Sequence, residues 1–415
     1  MLDARVWDRA SGGVQQWVLG LASAFSSLEP NGDEYLFLVE PGREAWLRPF
    51  VSGSCRIVTT ATPARRASAL SGVRSRLASR LPIARAAWRR LKEARRGVPG
   101  LPASDGTVEQ LGADLVHFTF QEAFTTGTPS IYQPWDLQHL HLPEFFTPVE
   151  RARRELAYRA FSAQADTVIV ASNWVKRDLV VQYELDADCI GVVNVPPVTS
   201  AYPDPDAEVI ASVRRRLKVP DRFIYYPAQA WPHKNHRRLF AALGRLRAGG
   251  LRVPLVCSGN RNDNHPGVLR AAREVGIADD VLFLGFVTAE EVAVLYRAAG
   301  AMVFPSLFEG WGMPILEAFR AGLPVACSNA TSLPDLVGDA ALVFDPYDEA
   351  AIASAIRRIW TDDAVVADLV RRGQLRVERF RWDEAVLTLR AHYRRIAGRA
   401  LDDLDRGLLN AEPLV

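Results

Sequence analysis

The sequence predicts an α/β protein with two parallel sheets, one in each half of the chain, facing each other across a cleft. Three observations predict it. The 415 residues exceed what one hydrophobic core organises, which gives two domains of roughly 200 residues each. Short apolar runs alternate with longer stretches of helical periodicity along the whole chain. Polar and glycine residues gather directly after those runs, at the carboxyl ends of the expected strands, where open parallel sheets take their ligands.

In the first half the strand-like runs are YLFLV (35–39), CRIV (55–58), DLVHF (114–118), SIY (130–132), TVIVAS (167–172) and IGVVNV (190–195). LDAR at 2–5 reads as the tail of a first strand. In the second half they are FIYYP (223–227), VPLVCSG (253–259), VLFLGF (281–286), AMVFPS (301–306), PVACS (324–328) and ALVFDP (341–346). The Pro- and Asp-rich stretch 196–208 separates the two series as a linker. The domains expected are therefore 1–197 and 198–381. From Trp382 the apolar residues Ala385, Val386, Leu389, Ala391 and Ile396 predict a long amphipathic helix in 382–415 that packs back across the junction. The last residues are weakly patterned and are expected to fray.

With 48% hydrophobic and 24% charged residues the chain has the composition of a folded globular protein. The net charge of +2 gives no support to a nucleic-acid role. The four cysteines, Cys55, Cys189, Cys257 and Cys327, are far apart, and the last three lie in or beside apolar runs that read as buried strands; a reducing cytoplasm is the simplest home. No stretch approaches the roughly 20 apolar residues of a membrane span, and Met1 is not followed by a signal-peptide core.

The most informative stretch is PSLFEGWGMPILEAF, 305–319. Glu309 and Glu317 stand eight apart on either side of a loop with Gly310, Gly312, Met313 and Pro314, following a buried strand. Pro314 suits the first position of a helix, so the amides from Gly312 to Ile315 are expected at a helix N-terminus, where unpaired donors favour phosphate. A Glu pair alone reads equally as a first-turn acid and an exposed loop residue; the flanking residues give it meaning. The stretch resembles the signature of glycosyltransferase family 4, a retaining family in which a Glu, seven residues and a second Glu close on a sugar nucleotide. The resemblance implies the type B glycosyltransferase fold, two Rossmann-like domains facing across a cleft, with the donor in the C-terminal half and the acceptor in the N-terminal half. It implies that Glu317 holds the ribose hydroxyls and that Glu309 sits by the donor sugar, balancing charge at the anomeric carbon.

Other segments share the resemblance. YPAQAWPHKNHRRLF (226–240) is similar to the family's donor-phosphate segment, which implies that Lys234 contacts the diphosphate. Where many members carry Arg five residues before that Lys, this chain has Gln229; His233 and Arg261 are candidates for part of the missing interaction. VLFLGFVTAEEVAVLYRAAGAMVFPS (281–306) resembles the base-binding strand and helix, with backbone at Phe286 and Val287 meeting the base, and Leu295 and Tyr296 in the core. In 328–346, Asn329, Thr331 and Ser332 read equally as phosphate or sugar contacts and as turn formers. Gly12 and Gly13, after Ser11 and before VQQWVLGLASAF, are similar to the family's loop facing the donor phosphates. IYQPWDLQHLHLPEFF (131–146) resembles the acceptor-side loop. There Trp135 takes the place of the usual His, leaving Asp136 first and His139 second as candidates beside the sugar, with His141 nearby. Ser172 is expected to cap a helix.

Such enzymes are explained by a front-side route, in which the departing phosphate takes the acceptor's proton and the protein positions groups and stabilises charge. No cofactor and no metal are expected, since the one DxD-like pair, Asp204 and Asp206, falls in the turn-rich linker. Residues 64–97 carry eleven Lys or Arg against one Glu, with Leu70, Val73, Leu77, Ala84, Trp88 and Leu91 at near-helical spacing. This suits an anionic bilayer surface or a lipid-linked acceptor, and equally a solvated helix face. The resemblance implies a hexosyltransferase, with mannose favoured, using a nucleotide-sugar donor and a glycan or lipid-linked acceptor in surface polysaccharide assembly. Its expected setting is cytoplasmic, peripheral at the inner face of the plasma membrane. Rival readings are an inactive sugar-nucleotide-binding partner subunit and a nucleotide-sugar epimerase or sugar phosphorylase of the same architecture.

Overall fold

The computed structural model describes residues 1–6, 12–29, 32–60, 100–198 and 204–415. Among these, the basic segment 64–97, Ser11 and residues 199–203 of the linker do not appear.

The first sheet comprises β1 (Leu2–Asp3), β2 (Tyr35–Val39), β3 (Cys55–Thr59), β4 (Val116–Phe118), β5 (Ser130–Tyr132), β6 (Thr167–Val170) and β7 (Ile190–Val192), in the order β3-β2-β1-β4-β5-β6-β7. The second comprises β8 (Ile224–Pro227), β9 (Leu255–Ser258), β10 (Val281–Gly285), β11 (Ala301–Phe304), β12 (Val325–Ser328) and β13 (Ala341–Phe344), ordered β10-β9-β8-β11-β12-β13. The pairings within both sheets are parallel. Each apolar run read from the sequence forms a strand: YLFLV and SIY coincide with theirs, CRIV gains Thr59, and the others are trimmed at one end or both. Runs such as Val168–Ala171 and Ala301–Phe304 are buried along their length, because helices cover both faces of a parallel sheet.

The order of strands decides where ligands can sit. In the first sheet the chain steps outward from β1 to β3, then returns to lay β4 against β1. In the second it steps from β8 to β10 and returns to lay β11 against β8. Each reversal opens a crevice at the carboxyl ends of the two strands that flank it, since their connections leave in opposite directions.

The helix Trp382–Ile396 packs against the helix Gly13–Ser26 of the first half. Trp382 stacks on Trp17 with centroids 5.6 Å apart and donates its indole N–H to the carbonyl of Pro197. Gly20 makes the approach feasible: a Cβ there would lie 1.9 Å from the Trp382 ring. The tail beyond is not frayed. Asp402 caps a helix, Asp403–Asn410, and Asp405 is fully buried between Arg390 and Arg394. A second correction concerns Cys189, which is exposed at the end of a short 3-10 turn before β7, whereas Cys55, Cys257 and Cys327 are buried.

Candidate functional site

The crevice between β8 and β11 brings together the residues singled out in the second half. After β8 the chain passes Gln229 and makes a short 3-10 turn, Pro232–Lys234; after β11 it enters the loop holding Glu309. Lys234 Nζ donates to Glu309 Oε1 at 2.5 Å, and both side chains are largely withdrawn from water, 18% and 14% exposed. A charge-assisted bond this short and this sheltered fixes both groups.

The backbone beside Glu309 is held from behind. Thr331, at a φ of 52°, accepts from the Glu309 amide and donates to its carbonyl, while Ser332 donates to the carbonyls of Glu309 and Trp311. Thr331 and Ser332 thus commit their hydroxyls to the backbone of the Glu309 loop, 21 to 23 residues before them. Gly312 precedes the helix Met313–Arg320 with Pro314 in its first turn, as the sequence predicts. A Cβ on Gly312, whose φ is 141°, would lie 2.7 Å from Leu336 and 2.8 Å from Leu333. The Met313 side chain is buried in the core, so only its backbone is available to a ligand. Glu317, one turn on, accepts from the Tyr296 hydroxyl at 2.7 Å. Tyr296 is a core residue, as expected, with its ring against Tyr225 and its hydroxyl orienting Glu317. No sequence period links these two, 21 residues apart.

Gln229 accepts from the indole N–H of Trp231 at 3.0 Å, so its side chain is tied to its own loop. His233 is sheltered, and burial, reinforced by the nearby charges of Lys234 and Arg154, holds its imidazole well below the usual range. Phe286 is 48% exposed just past β10, and Val287 is half-buried beside it.

The first half meets this site directly. Gly310 packs so closely on the 135–136 loop that a Cβ would lie 2.2 Å from the Trp135 carbonyl oxygen. Ser172 caps the helix Asn173–Tyr183, as expected, and its hydroxyl also donates to the Gly310 carbonyl at 3.1 Å. Trp311 donates to the carbonyl of Val195. Asp136 accepts from the Gln138 amide. Burial, reinforced by Glu309, raises its carboxyl above the usual range against the opposing pull of that amide, Arg154 and Lys234. Trp135 sits at a φ of 68° and donates to the Thr119 carbonyl, its ring edge-on to Trp17. Gly12 and Gly13 are exposed at the start of their helix, Gly12 at a φ of 48°.

His139 is a correction. It is fully buried, bonded to Glu155 and edge-on to Tyr158 and Phe146, and burial depresses it to about 4. It is a core histidine of the first half. His141 pairs with Asp178 and packs on Trp174 and Phe308, joining the two halves. Asp206 caps the helix Ala207–Leu217. Among the described residues no cluster of three or more His, Cys, Asp or Glu gathers where a metal ion would be held.

Residues 211–376 match the family model described as glycosyl transferases group 1. The chain is 32% identical over 251 residues to O-antigen chain mannosyltransferase B of Escherichia coli, covering 60% of this chain and 65% of that protein. It is 27% identical over 321 residues to the serotype-specific mannosyltransferase WbdA of the same species, covering 72% of this chain and 39% of that one. The matches therefore span less than two thirds of either relative. Among solved structures it superposes on HepE of Anabaena, in complex with UDP and glucose, with a TM-score of 0.69 at 18% identity, over 94% of this chain and 98% of that one. Residues 211–376 belong to the group 1 glycosyl transferases, and the chain has the two-domain, type B glycosyltransferase fold.

Proposed function

We propose that the protein is a retaining hexosyltransferase that moves a sugar, with mannose favoured, from a nucleotide diphosphate donor to a glycan or lipid-linked acceptor in surface polysaccharide assembly. The observation that carries the reading is the Lys234–Glu309 pair beside Glu317 at the β8/β11 crevice. The mannosyltransferase names of the two relatives support the sugar.

In this reading Glu317, oriented by Tyr296, accepts from the ribose hydroxyls. The diphosphate lies between Lys234, the start of the helix Met313–Arg320 and the loop at Gly12 and Gly13. It shares the ammonium with Glu309, whose carboxylate then faces the donor sugar. As the anomeric C–O bond breaks, Lys234 neutralises the leaving phosphate, and Glu309 stabilises positive charge on the sugar. The acceptor hydroxyl attacks from the same face and passes its proton to the leaving phosphate oxygen, so no protein nucleophile and no metal take part. Asp136, beside Gly310, adjoins the sugar from the acceptor side. Phe286 and Val287 contribute backbone to the base. Contact of residues 64–97 with an anionic membrane surface, at the cytoplasmic face, belongs to the same proposal.

The test is isothermal titration of the protein with GDP, UDP, ADP and dTDP in the presence of EDTA, with Glu317→Ala alongside. Micromolar binding of one nucleotide, lost in the variant and indifferent to EDTA, is expected. Binding of none removes the donor site as drawn.

A further inference from the structure

The helix Asn173–Tyr183 of the first half carries a row of side chains that ends on the second half. Ser172, its cap, donates to the carbonyl of Gly310. Trp174 stands edge-on to Phe308 with centroids 5.3 Å apart, and Arg177 reaches Asp335, 3.7 Å away. One turn past Trp174 and on the same face, Asp178 holds His141 Nε2 with both carboxylate oxygens, at 2.8 and 2.9 Å. So held, the His141 ring packs against Phe308 with centroids 5.2 Å apart.

These contacts converge on the two neighbours of Glu309. Phe308 is 3% exposed and, with Leu307, joins Leu142, Phe145 and Trp174 in a small apolar cluster shared between the halves. On the other side of Glu309, Gly310 is pinned between the Ser172 hydroxyl and the Trp135 carbonyl, from which a Cβ would lie only 2.2 Å. Within the second half, the Glu309 carboxylate meets Lys234, and the Leu307 amide donates to the carbonyl of His233, next to that lysine, at 2.7 Å. Thr331 and Ser332 hold the Glu309 peptide itself from the second half. The direction the loop takes on either side of that peptide is set where it meets the first half. As plain glue, the cluster would keep the halves together and nothing more. Its place, one residue before Glu309, ties it to the chemistry.

From this convergence we infer that Trp174 and His141 are positioning residues for the transfer step: through Phe308 they set where the Glu309 carboxylate stands relative to Lys234 and the donor sugar. The inference rests on the donor reading above and adds to it the residues that prepare Glu309. Their part is mechanical. A reacting or stabilising group displaced by about 1 Å costs on the order of 10²-fold in rate while ground-state binding is kept. In the donor reading the nucleotide is held chiefly by second-half groups, Glu317, Lys234 and the start of the helix Met313–Arg320, so its affinity does not pass through Trp174.

The experiment uses the full chain, GDP-mannose or the hexose conjugate of whichever nucleotide titration selects, and two acceptors, water and an α-mannotrioside, with nucleotide release as the common readout. Trp174→Ala is expected to lower kcat by about 10- to 100-fold, while nucleotide affinity stays within about twofold of wild type. Trp174→Phe, which keeps a ring against Phe308, is expected to recover most of the rate. In a Glu309→Ala background, Trp174→Ala is expected to change kcat by less than about twofold, because the group it positions has gone. The full loss repeated in that background overturns the inference. So does a Trp174→Ala protein that turns over at the wild-type rate, whatever its melting temperature. If Trp174→Ala no longer binds nucleotide, His141→Gln, which keeps a donor toward Asp178 at a position open to water, carries the same cycle with the same expectations. A wild type that binds no nucleotide, or binds one and cleaves no donor with either acceptor, is a separate signature: it removes the donor reading, and this inference with it.

Discussion

At the scale of single residues, the site is built on one ion pair. Lys234 and Glu309 are 75 residues apart and meet at 2.5 Å because β8 and β11 are neighbours in the sheet. If the pair serves only the fold, breaking it costs stability and little else. If Lys234 neutralises a leaving diphosphate, Lys234→Ala lowers kcat by about 10²- to 10³-fold, the size of effect expected for losing one oriented charge at a transition state. Steady-state kinetics on Lys234→Ala, Glu309→Ala and the double variant separates the two readings. Losses well short of additive are expected, because each residue acts through the other. A variant that unfolds more easily but transfers at the wild-type rate assigns the pair to structure. The Gln229 departure and the Trp135 replacement are both legible in the sequence, but their consequences were not. The first proves to be tied to Trp231, and the second stands at a positive φ against Trp17.

At the scale of elements, the helix Trp382–Ile396 fastens the end of the chain to its beginning. Its anchors are the Trp382–Trp17 stack, the hydrogen bond shared by Tyr393 and His117, and the Arg394–Asp33 ion pair. The stack depends on the missing side chain at Gly20. A methyl group there must displace the Trp382 ring, so Gly20→Ala is expected to destabilise the protein by about 1–3 kcal/mol, the usual cost of overpacking, despite the better helix propensity of Ala. Urea unfolding followed by tryptophan fluorescence measures it, and a neutral or stabilising result removes Trp382 from its role as anchor. The helix itself was legible from its apolar spacing. The helix Asp403–Asn410 was not, because its stability comes from a capping box and from the buried Asp405, and neither produces an apolar stripe.

At the scale of the whole molecule, several histidines are enclosed in apolar surroundings. Burial lowers His117, His236 and His392 to about 3 and His139 to about 4. In the unfolded chain each titrates near 6.5. Between that value and about 4 the unfolded state therefore binds more protons, and stability is expected to fall as the pH falls through this window. Asp136 and Asp178, raised by burial, act in the opposite sense, since the folded state holds their protons more tightly. The four histidines outnumber them. Thermal unfolding midpoints recorded from pH 7.5 to 4.5 at constant ionic strength should decline steadily below about 6.5; a flat profile contradicts the burial of these imidazoles.

The sequence by itself determined the two sheets, the placement of Glu309, Glu317 and Lys234 after strands, and the cap at Ser172, because hydrophobic period, turn chemistry and helix-end preferences act over a few residues. Only the tertiary structure decided which of those residues meet. Strand order brought Lys234 to Glu309, helix packing enclosed His139 and turned Tyr296 onto Glu317, and the meeting of the two halves set Trp174 and His141 against Phe308. Such contacts depend on how strands are ordered in space, and no local period in the chain records that order.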